Sequence, residues 1–318
     1  MKKVVSIKQK KKRDEFTSKF VAFIPLLGWL LFGILPLAMS GIVAFTELHS
    51  TDLRDMKFVG LQNFITILTN ADEGRTYASY LSTIVFSLNV PVTLGVSLYI
   101  ANLINRTKIG NKFFRTVFFI PFVCSTVVVS MTFRMLFATE GGLINQLLSD
   151  IGFQPVAWLT DTPESFMAVA IILSVWSGIG WCILLFLAAL SSVDASYYES
   201  AKLDGATPFQ MFWKITWPAI SPTTSYLVTM RLIGALQSMS EMYVLVGGSS
   251  TSSAPTWGNT AAYVSDTVVK HIYNMIFENS YKYGYGLAAA AGWILAIIVL
   301  VITRINLKMQ ERWVNYDF

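Results

Sequence analysis

Long apolar runs separated by short polar intervals set the pattern of this chain. A helix needs about 20 predominantly apolar residues to cross a bilayer. Six windows reach that length: 20–46, 76–105, 114–137, 165–193, 219–247 and 283–305. The first, second and fourth carry no Asp, Glu, Lys or Arg. The third is uncharged from Thr116 to Phe133 and the sixth up to Thr303, while Arg231 and Glu241 interrupt the fifth. The pattern predicts an all-α polytopic membrane protein with six transmembrane helices. Residues 1–19 form a basic head, 20–46 a first membrane helix, 76–305 the transmembrane core and 306–318 a polar tail.

The intervals have patterns of their own. Within 47–75, Leu61, Phe64, Ile65 and Leu68 recur at helical spacing, which predicts a short amphipathic helix at the outer interface. Pro91 and Pro121 should kink or open the second and third membrane helices. In 106–115, a basic interval with a Gly110-Asn111 turn signal, the chain either anchors at the inner interface or touches a partner.

The interval 194–218 is the most structured. Asp194 can cap a helix that runs to about Leu203, and Asp204-Gly205 breaks it. Thr207-Pro208 restarts a helix in the favoured order of hydroxyl cap, then proline, and that helix is expected to end before Pro218. Phe209, Phe212 and Trp213 form an aromatic stripe on the second helix, and Tyr198 and Ala201 stack on the first. Periodicity alone fits either an interfacial pair that supports the bundle or two helices inserting into a partner's groove.

Charge changes the picture by fixing sidedness. Of the Lys and Arg residues, seventeen fall on one side of a six-pass topology and five (Arg54, Lys57, Arg75, Lys270, Lys282) on the other. The remaining two, Arg134 and Arg231, lie at or within membrane helices. The positive-inside bias puts both termini in the cytoplasm. The basic pI of about 9.1 is therefore a topology signal and gives no reason to expect nucleic acid. The first apolar run is nearly twice the ~7–15 residues of a secretory h-region, so it reads as a retained helix. Cys124 and Cys182 lie inside apolar helices, and His49 and His271 are far apart, so neither a disulfide framework nor a metal site is expected.

The segment Glu199, Ala201, Asp204, Gly205, Ala206, Phe212, Ile215 and Pro218 resembles the EAA loop of binding-protein-dependent ABC importer permeases, with Ser200 replacing the usual Ala. Phe58–Phe64, Phe114-Arg115-Thr116 with Phe119-Ile120-Pro121, Gly142–Asn145, Val175-Trp176, Leu187–Leu190, Gly247-Gly248 and Gly284–Gly286 resemble the carbohydrate-importing, maltose and glycerol-phosphate branch. The resemblance implies the type I ABC importer permease fold in the cell membrane. It implies a second homologous permease, an ABC ATPase dimer that binds the ATP and Mg, and an extracytoplasmic solute-binding protein. Glu199, Ala201, Asp204, Gly205, Ala206, Phe209 and Phe212 would couple to the ATPase. No G-x-x-x-x-G-K-[ST] pattern occurs, so this chain is expected to hold no nucleotide or other cofactor and to be no enzyme.

Sugar contacts in the maltose-type family come from the helices flanking that loop, which here contain Ser174, Ser177, Gly178 and Trp181 before it. After it, Arg231, Gly234, Ser238 and Glu241 are spaced 3, 4 and 3, which puts them on one helix face. Intramembrane charge is a functional hypothesis by default, and a guanidinium suits carboxylate or phosphate. Arg231 either braces the bundle or meets a solute, in which case an acidic sugar is favoured over a neutral one. An ion-coupled secondary transporter would need midplane carboxylates and paired repeats, and an intramembrane enzyme would need a nucleophile–base pair or metal ligands. The sequence offers neither set beyond Glu241.

Overall fold

The structure, a computed structural model, describes residues 7–69, 75–107, 110–248, 254–258, 263–278 and 280–314. Helix α1 (Ile7–Trp29), a π turn (Leu30–Ile34) and α2 (Leu35–Val43) form one continuous rod. A small hairpin pairs β1 (Thr46–Glu47) with β2 (Lys57–Phe58), Thr46 opposite Phe58, and leads into α3 (Gln62–Leu68). There Leu61, Ile65 and Leu68 stay exposed, while Phe64 turns back onto Phe45. Then come α4 (Arg75–Phe86), α5 (Asn89–Arg106), α6 (Asn111–Val123), α7 (Thr126–Leu136) and α8 (Leu143–Asp150). The long α9 (Pro163–Ser192) is followed by α10 (Ala195–Leu203), α11 (Pro208–Met211) and a second π turn (Phe212–Thr216). The chain continues through α12 (Trp217–Leu236), α13 (Ser240–Leu245), α14 (Val268–Phe277) and α15 (Ser280–Gln310).

Among the described residues, four stretches are long and apolar enough to cross a membrane: Val21–Val43, Arg75–Arg106, Pro163–Ser192 and Gly284–Gln310. Helices α6 and α7 make a fifth if their 93° bend lies within one pass. The single third helix expected over 114–137 is therefore two helices. α6 runs through Pro121 and stops at Val123, and Cys124-Ser125 turn extended before α7 begins.

Prolines account for several further irregularities. Pro91 cannot donate to the Ser87 carbonyl and its ring crowds that group. The helix breaks there, and the Ser87 N–H and Oγ both donate to Thr83 O, at 3.0 and 2.8 Å. Each π turn ends two residues before a proline, Pro36 or Pro218, and the extra residue moves the carbonyl the ring would strike. The second polar helix therefore does not end before Pro218 as its sequence suggests. It runs through the π turn into α12. Pro222 leaves the Pro218 carbonyl without its helical donor, and Ser221 Oγ supplies one at 2.7 Å.

Helix α9 is the hub of the bundle. Phe166, Leu173, Cys182 and Phe186 are fully buried on it, packed among α4, α5, α7, α12 and α13. Gly180 lets α6 come close, since a Cβ there would sit 2.4 Å from the Phe118 carbonyl oxygen. By contrast, no residue in the apolar window of Val21–Val43 is buried, and Phe32 is 84% exposed. An apolar surface of that size needs lipid or a partner.

Candidate functional site

Two constellations carry chemistry, and the first is the bend between α9 and α12. Asp194 caps α10 by accepting from Ser196 N at 2.9 Å, and that bonding holds its carboxyl below the usual carboxylate range. Gly205 makes the turn at φ 76°, a left-handed conformation that suits glycine. Thr207 and Gln210 then form a reciprocal capping box, with Thr207 N donating to Gln210 Oε1 at 2.8 Å. Tyr198 and Thr216 share a 2.9 Å hydroxyl bond that ties α10 to the π turn.

Large apolar side chains stay uncovered at the tip of this bend: Leu203 is 90% and Phe209 73% exposed. Glu199, Asp204 and Gly205 are exposed beside them, Ala201 and Ala206 are half-buried, and Phe212 packs edge-on against Trp213. A stiff, capped bend with an apolar tip is the shape of a plug for a groove.

The second constellation surrounds Arg231. Its Nη2 donates to Asn89 Oδ1 at 3.1 Å, to Ser174 O at 3.4 Å, and to Thr93 Oγ1 and Ser174 Oγ at 3.5 Å. Gly178 makes room for it, because a Cβ there would lie 2.7 Å from the guanidinium carbon. Arg231 thus joins α5, α9 and α12. Its Nε is buried without an acceptor, and among the described residues no carboxylate pairs with it. A cation held only by neutral oxygens can still take an anion.

The expected groupings are split. Ser174, Gly178 and Arg231 meet. Ser177 does not join them, its hydroxyl donating back to Leu173 O and Ser174 O. Trp181 turns away to stack on Phe122, ring centroids 5.3 Å apart. The single polar face from Arg231 through Gly234 to Ser238 and Glu241 is not found, because α12 ends at Leu236 and Met239 leaves helical geometry. Glu241 belongs to α13, where Ser238 Oγ donates to it at 2.8 Å. The fifth expected helix, 219–247, is accordingly two helices.

Two features escaped the sequence reading. Lys270, counted as an outer-loop charge, is fully buried on α14, where its Nζ pairs with Asp266 and donates to Ser265 Oγ at 3.1 Å. The i,i+4 spacing of Asp266 and Lys270 was the available signal. Arg134, at the end of α7, borders a cavity of about 420 Å³ and lies against Gly247, where a Cβ would approach its Nη2 to 2.8 Å.

An apolar helical bundle, an exposed capped bend and an inward arginine without a carboxylate partner among the described residues are the features a family assignment has to account for. Residues 92–315 match the family of binding-protein-dependent transport system inner membrane components, and the chain belongs to that family. The fold is the type I ABC importer permease fold, in a multi-pass component of the cell membrane. The chain is 33% identical over 297 residues to the probable ABC transporter permease protein YesP of Bacillus subtilis, covering 92% of this chain and 89% of that one. It is 31% identical over 299 residues to the arabinooligosaccharides transport system permease protein AraP of the same organism, covering 93% and 87%. Among solved structures, a bacterial ABC transporter involved in import of the acidic polysaccharide alginate superposes with a TM-score of 0.79 at 26% identity, over 95% of this chain and 98% of that one.

Proposed function

We propose that this chain is one permease subunit of an ATP-driven carbohydrate importer, with six passes and both termini cytoplasmic. On this reading α12 with α13 is the fifth pass and the bent α6–α7 pair the third. A second homologous permease completes the translocation path, an ABC ATPase dimer binds ATP and Mg below, and a solute-binding protein delivers sugar from outside. This chain itself carries out no catalysis. The supporting relatives are permeases for oligosaccharides and, in a solved complex, a transporter bound to an alginate-loaded periplasmic protein.

One observation carries the coupling role. The Asp204-Gly205 bend exposes Leu203 and Phe209 and continues without interruption into α12. A push on that tip moves a membrane helix. Glu199, Ala201, Asp204, Gly205, Ala206, Phe209 and Phe212 are the contact residues of this reading. Ser174, Gly178 and Arg231 line the path, with Ser177, Trp181, Ser238 and Glu241 flanking it. Because Arg231 has no carboxylate partner among the described residues, an acidic sugar is the favoured cargo. Uptake of labelled oligosaccharide by the reconstituted complex, competed by neutral and uronate-containing oligosaccharides, tests the assignment. Acidic competitors should win in wild type and lose that advantage in Arg231→Ala. Equal competition in both proteins would remove the acidic cargo.

A further inference from the structure

The joint between the exposed bend and α12 is mechanically weak by construction. It is a π turn, Phe212–Thr216, shortly before Pro218, so the regular α-helical ladder is interrupted there and lacks one donor. Alone, it would flex under load and absorb the displacement it must pass on. An aromatic ladder spans it. Phe209 on α11 packs on Trp213 with ring centroids 6.2 Å apart, Trp213 on Trp217 at 5.7 Å, and Trp217 stacks on Trp313 at 6.0 Å with the rings 22° from parallel.

The last rung belongs to another helix. Trp313 lies in the turn just beyond α15, and the end of α15 is fastened to α12 higher up. Gln310, 6% exposed, pairs through Oε1 with the Ser225 hydroxyl, and its Nε2 donates to Ser225 O at 3.1 Å and to Thr229 Oγ1 at 3.0 Å. Asn306 Nδ2 donates to the same Thr229 hydroxyl at 3.0 Å. These bonds cost less to keep than to break, because a buried polar group stripped of its partner loses its full solvation.

We infer that Trp313 and Gln310 are positioning residues of the coupling lever: the C-terminal end of α15 splints the π-turn joint, so that displacement of the bend moves α12 and α15 as one body. The inference rests on the docking role proposed for the bend. It makes the segment after 305 a working part of the transporter.

The readout is sugar transported per ATP hydrolysed by the full complex in proteoliposomes, with Gly205→Pro as the control for docking itself. Trp313→Ala should lower that ratio about threefold, the scale of one lost aromatic pair, while leaving subunit assembly intact. Trp313→Phe should restore most of it. A merely structural residue would lower the amount of assembled complex and leave the ratio alone. An unchanged ratio in Trp313→Ala, with Gly205→Pro uncoupled, overturns the splint only. An unchanged ratio in both variants removes the docking role as well.

Should Trp313→Ala fail to assemble, a reducible thiol cross-link between Trp217→Cys and Trp313→Cys, in a background without Cys124 and Cys182, decides the matter. Full turnover after cross-linking supports one rigid body. Arrest that a reductant reverses shows that the two helices must separate, and refutes it.

Discussion

Adding one methyl group at Gly178 tests whether the placement of Arg231 matters for transport. In Gly178→Ala the new Cβ would lie 2.7 Å from Arg231 Cζ and Nη2 and 2.8 Å from Nη1. Non-bonded heavy atoms are comfortable near 3.5–4.0 Å, so the guanidinium must retreat by roughly 1 Å. It ends a flexible side chain, so it can move without pushing the helices apart. The cost falls on its hydrogen bonds. The contacts to Ser174 O at 3.4 Å, Ser174 Oγ at 3.5 Å and Thr93 Oγ1 at 3.5 Å are already at the limit and go first. The 3.1 Å bond to Asn89 is the one the arginine can keep by pivoting. Bonds to a charged group contribute about 1.5–3 kcal/mol at good geometry, and these are long, so a loss of about 1.5 kcal/mol in all is expected. That is roughly tenfold in an equilibrium constant. The assay is the initial rate of sugar uptake below saturation, normalised to reconstituted complex. Gly178→Ala should lower it about tenfold, and Gly178→Ala with Arg231→Ala should fall no further than Arg231→Ala alone. Wild-type uptake in Gly178→Ala, or additive losses in the double variant, would refute the reasoning.

Three further substitutions separate packing, turn geometry and buried charge. Gly180→Ala presses a methyl against backbone, 2.4 Å from Phe118 O, so α6 and α9 must part; overpacking costs about 1–3 kcal/mol, read as a lower melting temperature of the purified complex. Gly205→Pro asks for φ near −65° where the chain has 76°, and should leave membrane insertion intact while abolishing uptake driven by ATP. Lys270→Met strands Asp266 in the bundle and should cost about 3–5 kcal/mol, with Lys270→Met/Asp266→Asn recovering most of it in the same melting assay.

How much of this was legible follows from how local each cause is. The bend was readable in detail because its determinants are neighbours: Asp194 caps two residues on, Thr207 and Gln210 cap each other, and Gly205 sets the turn. The continuation through Pro218 was not readable, since a proline marks a helix end unless a π turn relieves it. The three residues that hold Arg231, Asn89, Thr93 and Ser174, come from α5 and α9, up to 142 residues away in sequence, and no spacing rule reaches that far. The break at Gln237–Met239 consists of residues that a helix accepts, so the 3-4-3 spacing from Arg231 to Glu241 looked continuous. Lys270 looked like an outer charge because it falls between the fifth and sixth apolar windows, and its burial depends on α14 folding in against α4 and α15, with Val268 N donating to Thr83 Oγ1 at 3.0 Å.

The central claim is that the exposed bend is gripped by a nucleotide-hydrolysing partner. Photo-cross-linking in intact cells from positions 203 and 209, now occupied by the exposed Leu203 and Phe209, tests it most directly. The account predicts adducts with an ATPase subunit whose yield changes on ATP binding. Adducts only with lipid or with this chain's own helices would contradict it.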